Sequence, residues 1–269
     1  MTAQRLGRLV ADGDLGAVRT AVQQQPHLLS TVVEQDGADG WTPLHLAVAA
    51  GHAPLVTVLV EAGCDPAART EDGRTPLHVA LAHAPHLVEV LRGLGAPVDA
   101  ASAAFLGEVE TLSRALDDGV PLTDPATDVD LLGWAATGGR LDTVQLLLRR
   151  GAVPGPALHA AAAGGTPAIV QALLEAGADA DVRDPATGRT PLHAAVAGAA
   201  PGNAPDGDAP AVVRLLLEAG ADVDATTNDG ASALDIARVA AARQRASGGR
   251  DTPVTDSLAE MLVTAGATG

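Results

Sequence analysis

The chain has 269 residues, 47% of them apolar, and a formal net charge of −16, so it is long enough to bury a sizeable core. That charge argues against nucleic acid and against an anionic membrane surface, both of which call for clustered Lys and Arg. Aromatic residues make up only 1% (Trp41, Trp134, Phe105 and no Tyr), so the core must come from Ala, Leu and Val, a composition suited to packed helices.

There is no Lys; all 17 basic residues are Arg. Two explanations stand side by side, codon bias in a GC-rich genome and selection against Lys modification. A single Cys, Cys64, excludes an intramolecular disulfide framework. The first residues, MTAQRLGRLVADGDLG, show no apolar signal region, and no stretch reaches the ~18 apolar residues of a membrane span. The expectation is a soluble, cytoplasmic monomer.

In chain order, residues 1–35 read as an N-terminal cap with a first helix ending near Gly13. Thr42-Pro43-Leu44-His45 then opens a unit at 36–68, and the same text returns 33 residues later as Thr75-Pro76-Leu77-His78 in a unit at 69–98. Thr is a good N-cap, and Pro at the first helical position has a pre-set φ and no N–H to lose. Leu44, Ala47 and Val48 share one helical face, Gly51 ends that helix, and Val56, Leu59 and Val60 mark a second, ended by Gly63. Three degenerate units follow, at 99–121 (lacking hairpin and Thr-Pro-Leu-His), 122–153 (Asp130-Leu131-Leu132-Gly133 in its place) and 154–179 (Leu158-His159 retained). Thr190-Pro191-Leu192-His193 restores the text in the unit at 180–224, and Gly230-Ala-Ser-Ala-Leu starts the last, 225–269; each carries a Gly/Pro/Ser/Asp-rich insertion between its helices, about 200–209 and 244–255.

Two short helices cannot bury their apolar faces alone, whereas stacked copies make a continuous core. The repeated D-G-x-T-P-L-H-x-A followed by V-x-x-L-L-x-x-G-A-D resembles the ankyrin-repeat family across nearly the whole chain. The resemblance implies an all-α solenoid of helix-turn-helix units with short β-hairpin fingers, one domain over 1–269, and a protein-binding role through finger tips and concave face.

The chemical-looking residues read as structural. His45, His78, His159 and His193 hold one motif position, and the resemblance implies that each ties down a hairpin by hydrogen bonds. Equivalent residues in neighbouring repeats lie roughly 8–10 Å apart, too far to share a zinc ion whose ligands sit about 2 Å away. Cys64 stands where other copies carry Ala152, Ala178 and Ala221, the place of a small buried filler. The acidic turns lack calcium-loop order, and no phosphate loop, dinucleotide fingerprint or nucleophile elbow is present. No catalytic residue, cofactor or metal is therefore expected. What remains is a protein or peptide partner; a dedicated inhibitor or immunity protein for a basic enzyme is the alternative, resting on the charge. Partner-binding candidates are the variable positions Trp41, Arg69, Glu71, Asp72, Arg74, His83, Arg189, Asn228 and Asp229, with Trp41 expected as an exposed plate at a finger tip, Arg74 and Arg189 as further anchors, and one compact patch over residues 38–83 expected as the main site. Ala49, Ala50, Ala163, Gly164, Ala197 and Gly198 are expected to be bland lining.

Overall fold

The computed structural model describes residues 2–35, 38–124, 129–199, 207–246 and 254–268. The centres of both insertions, 200–206 and 247–253, lie outside the described residues. The chain divides into two compact units, residues 1–103 with 119–129, and residues 104–118 with 130–269.

The first unit contains α1 (Ala3–Ala11), α2 (Leu15–Gln24), the strands β1 (Val33–Gln35) and β2 (Ala38–Trp41), then α3 (Pro43–Ala49), α4 (Ala53–Glu61), α5 (Pro76–His83) and α6 (Val88–Gly93). Helix α1 packs on α3 and α3 on α5; α2 packs on α4 and α4 on α6. Leu6, Leu44 and Leu77 on the first row, with Leu59 and Leu91 on the second, are fully buried. Burying a Leu side chain contributes about 1.5–3 kcal/mol, so these rows carry the unit.

The division falls within α7 (Ala100–Leu106). The second unit continues with α8 (Val109–Asp117), α9 (Leu131–Thr137), α10 (Leu141–Arg149), α11 (Gly155–Ala163), α12 (Pro167–Glu175), α13 (Pro191–Gly198), α14 (Ala209–Glu218), α15 (Ala233–Ala246) and α16 (Val254–Thr264). Its first helices run α9, α11, α13, α15, each on the next, and its second helices run α8, α10, α12, α14, α16. Trp134 is half-buried on α9, edge-on to Phe105 at 6.0 Å.

The local signals act as their chemistry requires. Thr42, Thr75 and Thr190 are N-caps with Pro at the first helical position. In each the His three residues on completes a capping box, doing with imidazole what Glu or Gln usually does. Gly51, Gly63, Gly151, Gly177 and Gly220 follow helix ends with φ between 72° and 107°, a region that a side chain disfavours.

Candidate functional site

The motif His residues join neighbouring repeats. In His45, Nδ1 accepts the Thr42 N–H (3.2 Å) and hydroxyl (2.8 Å), while Nε2 donates to the Arg74 carbonyl at 3.1 Å. His193 repeats this with Thr190 and the Ala231 carbonyl at 3.2 Å. Each ring therefore ties its own cap to the finger of the next repeat. His78 departs from the pattern because no finger follows it in its register: Nε2 donates to Asp99 at 2.9 Å, and Asp99 also accepts the Ser102 N–H at 3.0 Å at the start of α7. Burial alone would raise Asp99, but the His78 and Ser102 hydrogen bonds outweigh it and hold the carboxyl well below its ordinary range.

Burial pushes His45 and His193 below the ordinary imidazole value, with their carbonyl hydrogen bonds opposing. An unfolded His takes up a proton near pH 6.5. The folded form resists it, so stability is complete above about pH 6.5 and falls as the pH drops towards the folded values. The slope is up to about 1.4 kcal/mol per pH unit for each ring. Melting temperature measured from pH 7.5 to 5 should fall, and a His45→Gln/His193→Gln variant should show a flatter profile at a lower starting point. An unchanged slope would remove these rings from the explanation.

On the first unit the sequence-predicted binding residues take different positions. Trp41 was expected as an exposed finger-tip plate; it is only 5% exposed. It lies opposite Val33 at the end of the strand ladder next to the helix, and its ring tilts against His45 at 5.8 Å. The residue immediately before a cap belongs to the finger's base, not its tip, which is the physical reason for the correction. Its Nε1 has no partner among the described residues. The next finger is closed by Thr70, whose N–H meets the Arg74 carbonyl at 3.0 Å, leaving Glu71, Asp72 and Gly73 at the turn. Gly40, at φ 85°, is required there: a Cβ would stand 3.0 Å from the Glu71 nitrogen, so the two fingers touch through backbone. Arg69 is exposed but committed, donating to the Gly73 carbonyl at 2.7 Å and pairing with Asp99 at 2.9 Å. Arg74 pairs with Asp72 at 2.9 Å. Glu71 and His83 are exposed.

On the second unit Asn228 is a stitch between fingers: its N–H meets the Thr187 carbonyl at 2.9 Å and its Nδ2 the Ala186 carbonyl at 3.1 Å. Asp229 is exposed and accepts the Thr227 hydroxyl, a bond that lowers its carboxyl pKa. Arg189 lies on the wall of an open groove of about 790 Å³. The floor is Ala160, Ala163, Gly164, Ala194, Ala197 and Gly198, from α11 and α13 and the residue that caps α11; His159, Asp184, Thr187 and Thr137 complete the walls. Asp184 is occupied by Thr187, whose N–H (2.7 Å) and hydroxyl (2.6 Å) lower its pKa. The Arg189 guanidinium makes no hydrogen bond or ion pair with the described residues. His159 donates from Nε2 to the Arg189 carbonyl at 2.9 Å. Pro156 replaces the capping Thr, so Nδ1, the acceptor nitrogen of this tautomer, lacks the partner it has in the other three.

Sequence reasoning placed Ala163, Gly164, Ala197 and Gly198 in the lining but gave this groove no role, because small side chains look uninformative one at a time. Pro156 in the Thr position was the available signal. Cys64 is 4% exposed, and burial, with the Asp65 charge adding, pushes its thiol up to about 12. It should stay unmodified by iodoacetamide at pH 8 until the chain unfolds, since the thiolate is the reactive form; mass gain in the native protein would contradict this. Among the described residues no group of three His, Cys, Asp or Glu could hold a metal, and no helix is long and apolar enough to cross a membrane.

A family model described as ankyrin repeats (3 copies) matches residues 8–102 and 158–243. The chain is similar to the 2-5A-dependent ribonuclease of Mus musculus, 36% identical over 83 residues (24% of this chain, 11% of that protein). It is similar to the ankyrin repeat-containing protein P1E11.10 of Schizosaccharomyces pombe, 45% identical over 53 residues (19% of this chain, 26% of that protein). The NF-kappa-B inhibitor alpha of Sus scrofa is 36% identical over 83 residues (27% of this chain, 26% of that protein). The chain spans no more than 26% of the length of any of these relatives.

Proposed function

Because the chain belongs to the ankyrin-repeat family, we propose that it is a binding module that holds a protein or peptide partner on its finger tips and concave face. The observation that carries this reading is the open groove of the second unit, about 790 Å³ in volume, with Arg189 on its wall. That volume is in the range of pockets that hold a small-molecule ligand, roughly 300–1,000 Å³. Exposed side chains, Glu71 at a finger turn and His83 at the end of α5 on the first unit, and Arg189 and Asp229 on the second, supply polar contacts. Arg69, Asp72, Arg74 and Asn228 would act through the finger shapes they hold as well as by contact. Trp41 would act from beneath, by fixing the base of the first finger. The reading assigns no catalytic step to any residue.

Affinity isolation from native lysate, with partners identified by mass, tests it. Wild type should retain a partner that an Arg74→Glu/Arg189→Glu variant of unchanged melting temperature loses. Equal recovery by both would displace these side chains from the interface. A second reading, an inhibitor of a basic enzyme, is favoured by the net charge of −16 and by a relative whose name is that of an inhibitor. Its mark would be an association rate that falls steeply with salt; a salt-independent rate would exclude it.

A further inference from the structure

We propose that the groove of the second unit receives an extended, acidic segment of a partner protein, with one carboxylate paired to Arg189. The proposal rests on the binding reading above and names the chemistry of the occupant. The chain carries 33 acidic residues against 17 Arg, and the other arginines of the fingers spend their donors within the fold. Arg69 is paired with Asp99 and Arg74 with Asp72, while Arg183 donates to the Thr226 carbonyl. Arg189, alone among these finger arginines, points no donor at any described residue, and it lines a cavity. A planar fork of donors at a concave wall matches a carboxylate bidentately.

Two further features narrow the occupant. His159 Nδ1, in the same groove, is an acceptor with no hydrogen-bond partner among the described residues. An extended backbone has N–H groups free to donate to it, whereas a helix has used its own internally. The Ala and Gly floor lets that backbone approach to contact distance, which selects small side chains beside the acid. A carboxylate is favoured over a phosphate group because Asp184 also lines the groove and Asp229 is close enough for Arg189 to lower its pKa. A group with about two negative charges meets more repulsion there than a carboxylate with one.

The test uses the full chain and a phage-displayed library of random peptides, panned on wild type, on Arg189→Glu and on Arg214→Glu as a control outside the groove. Wild type and the control should enrich peptides with Asp or Glu at one fixed position flanked by Gly, Ala or Ser. A fluorescein-labelled peptide from that set should bind Arg189→Glu at least ten-fold more weakly. Replacing its acid by Lys should restore binding to Arg189→Glu and abolish it for wild type. The Arg189 side chain makes no bond with the described residues, so the variant should keep the wild-type melting curve, and a matching curve will show that it is folded. Enriched peptides without an acidic position, or binding that is indifferent to Arg189→Glu, would overturn the groove proposal while leaving peptide binding intact. Tighter binding of the phosphoserine form than of the acidic form would overturn the carboxylate. A library that yields nothing on wild type overturns the proposal as well, whereas retention of a folded partner in the lysate experiment would preserve the broader reading.

Discussion

Gly198→Ala is expected to destabilise the second unit by about 3 kcal/mol, the upper end of overpacking costs. Helix propensity alone gives the opposite sign, since Ala is preferred over Gly in a helix by roughly 1 kcal/mol. Packing decides the matter. A Cβ on Gly198 would lie 2.0 Å from the Ala163 carbonyl oxygen and 2.7 Å from its carbon, and backbone cannot swing aside as a side chain can. Helices α11 and α13 would have to separate, and with them the floor of the groove. Gly138 stands in the same relation to Phe105, whose carbonyl oxygen is 2.1 Å from its Cβ position. Gly93, at the end of α6, has nothing within 4 Å. Gly93→Ala should therefore be stabilising by about 0.4–1 kcal/mol, through lower entropy of the unfolded chain. Urea unfolding of Gly198→Ala, Gly138→Ala and Gly93→Ala checks the argument; a Gly198→Ala midpoint at or above wild type would show that the two helices separate at little cost.

The contrast between these glycines marks the limit of what the sequence discloses. Helix starts and helix ends were legible because each rests on residues a few positions apart, and the 33-residue register because Thr42-Pro43-Leu44-His45 recurs unchanged at Thr75. Thr42 caps a helix whatever surrounds it, and Gly63 ends one. The contacts that join repeats span much longer separations, 29 residues for His45 with Arg74 and 38 for His193 with Ala231. The text marked those His as structural without saying that each holds the following finger. It could not show that Asp99 would take this part for His78 where a finger is missing. Trp41 failed for a related reason: its neighbours in sequence made it a finger residue, and only the strand register with Val33 and the ring of His45 put it at the base. The groove failed because its floor consists of Ala and Gly, whose meaning lies in how closely α11 and α13 approach.

Leu44→Ala in the first unit and Leu216→Ala in the second should each lower stability by about 2–5 kcal/mol, the range for deleting most of a buried Leu. Both side chains are 0% exposed. Leu44 lies on α3, between α1 and α5, and Leu216 on α14, between α12 and α16. In a repeat architecture stability is close to a sum of intrinsic terms and nearest-neighbour interfaces. A helix in the middle of a row contributes to two interfaces, so one truncation weakens both, and little else in the chain can compensate. The cavity cannot be refilled by an aromatic neighbour either, since only three aromatic residues exist in the chain. Val153 provides the comparison, at 73% exposed; Val153→Ala should stay within about 0.5 kcal/mol of wild type. With a urea dependence of about 1–3 kcal/mol per molar, the Leu variants should shift their midpoints by roughly 1–2 M at unchanged slope. A changed slope would mean that the truncation alters the surface exposed on unfolding, as when one unit melts ahead of the rest. A Leu216→Ala midpoint no lower than that of Val153→Ala would mean that the row α12, α14, α16 is not where the second unit keeps its core.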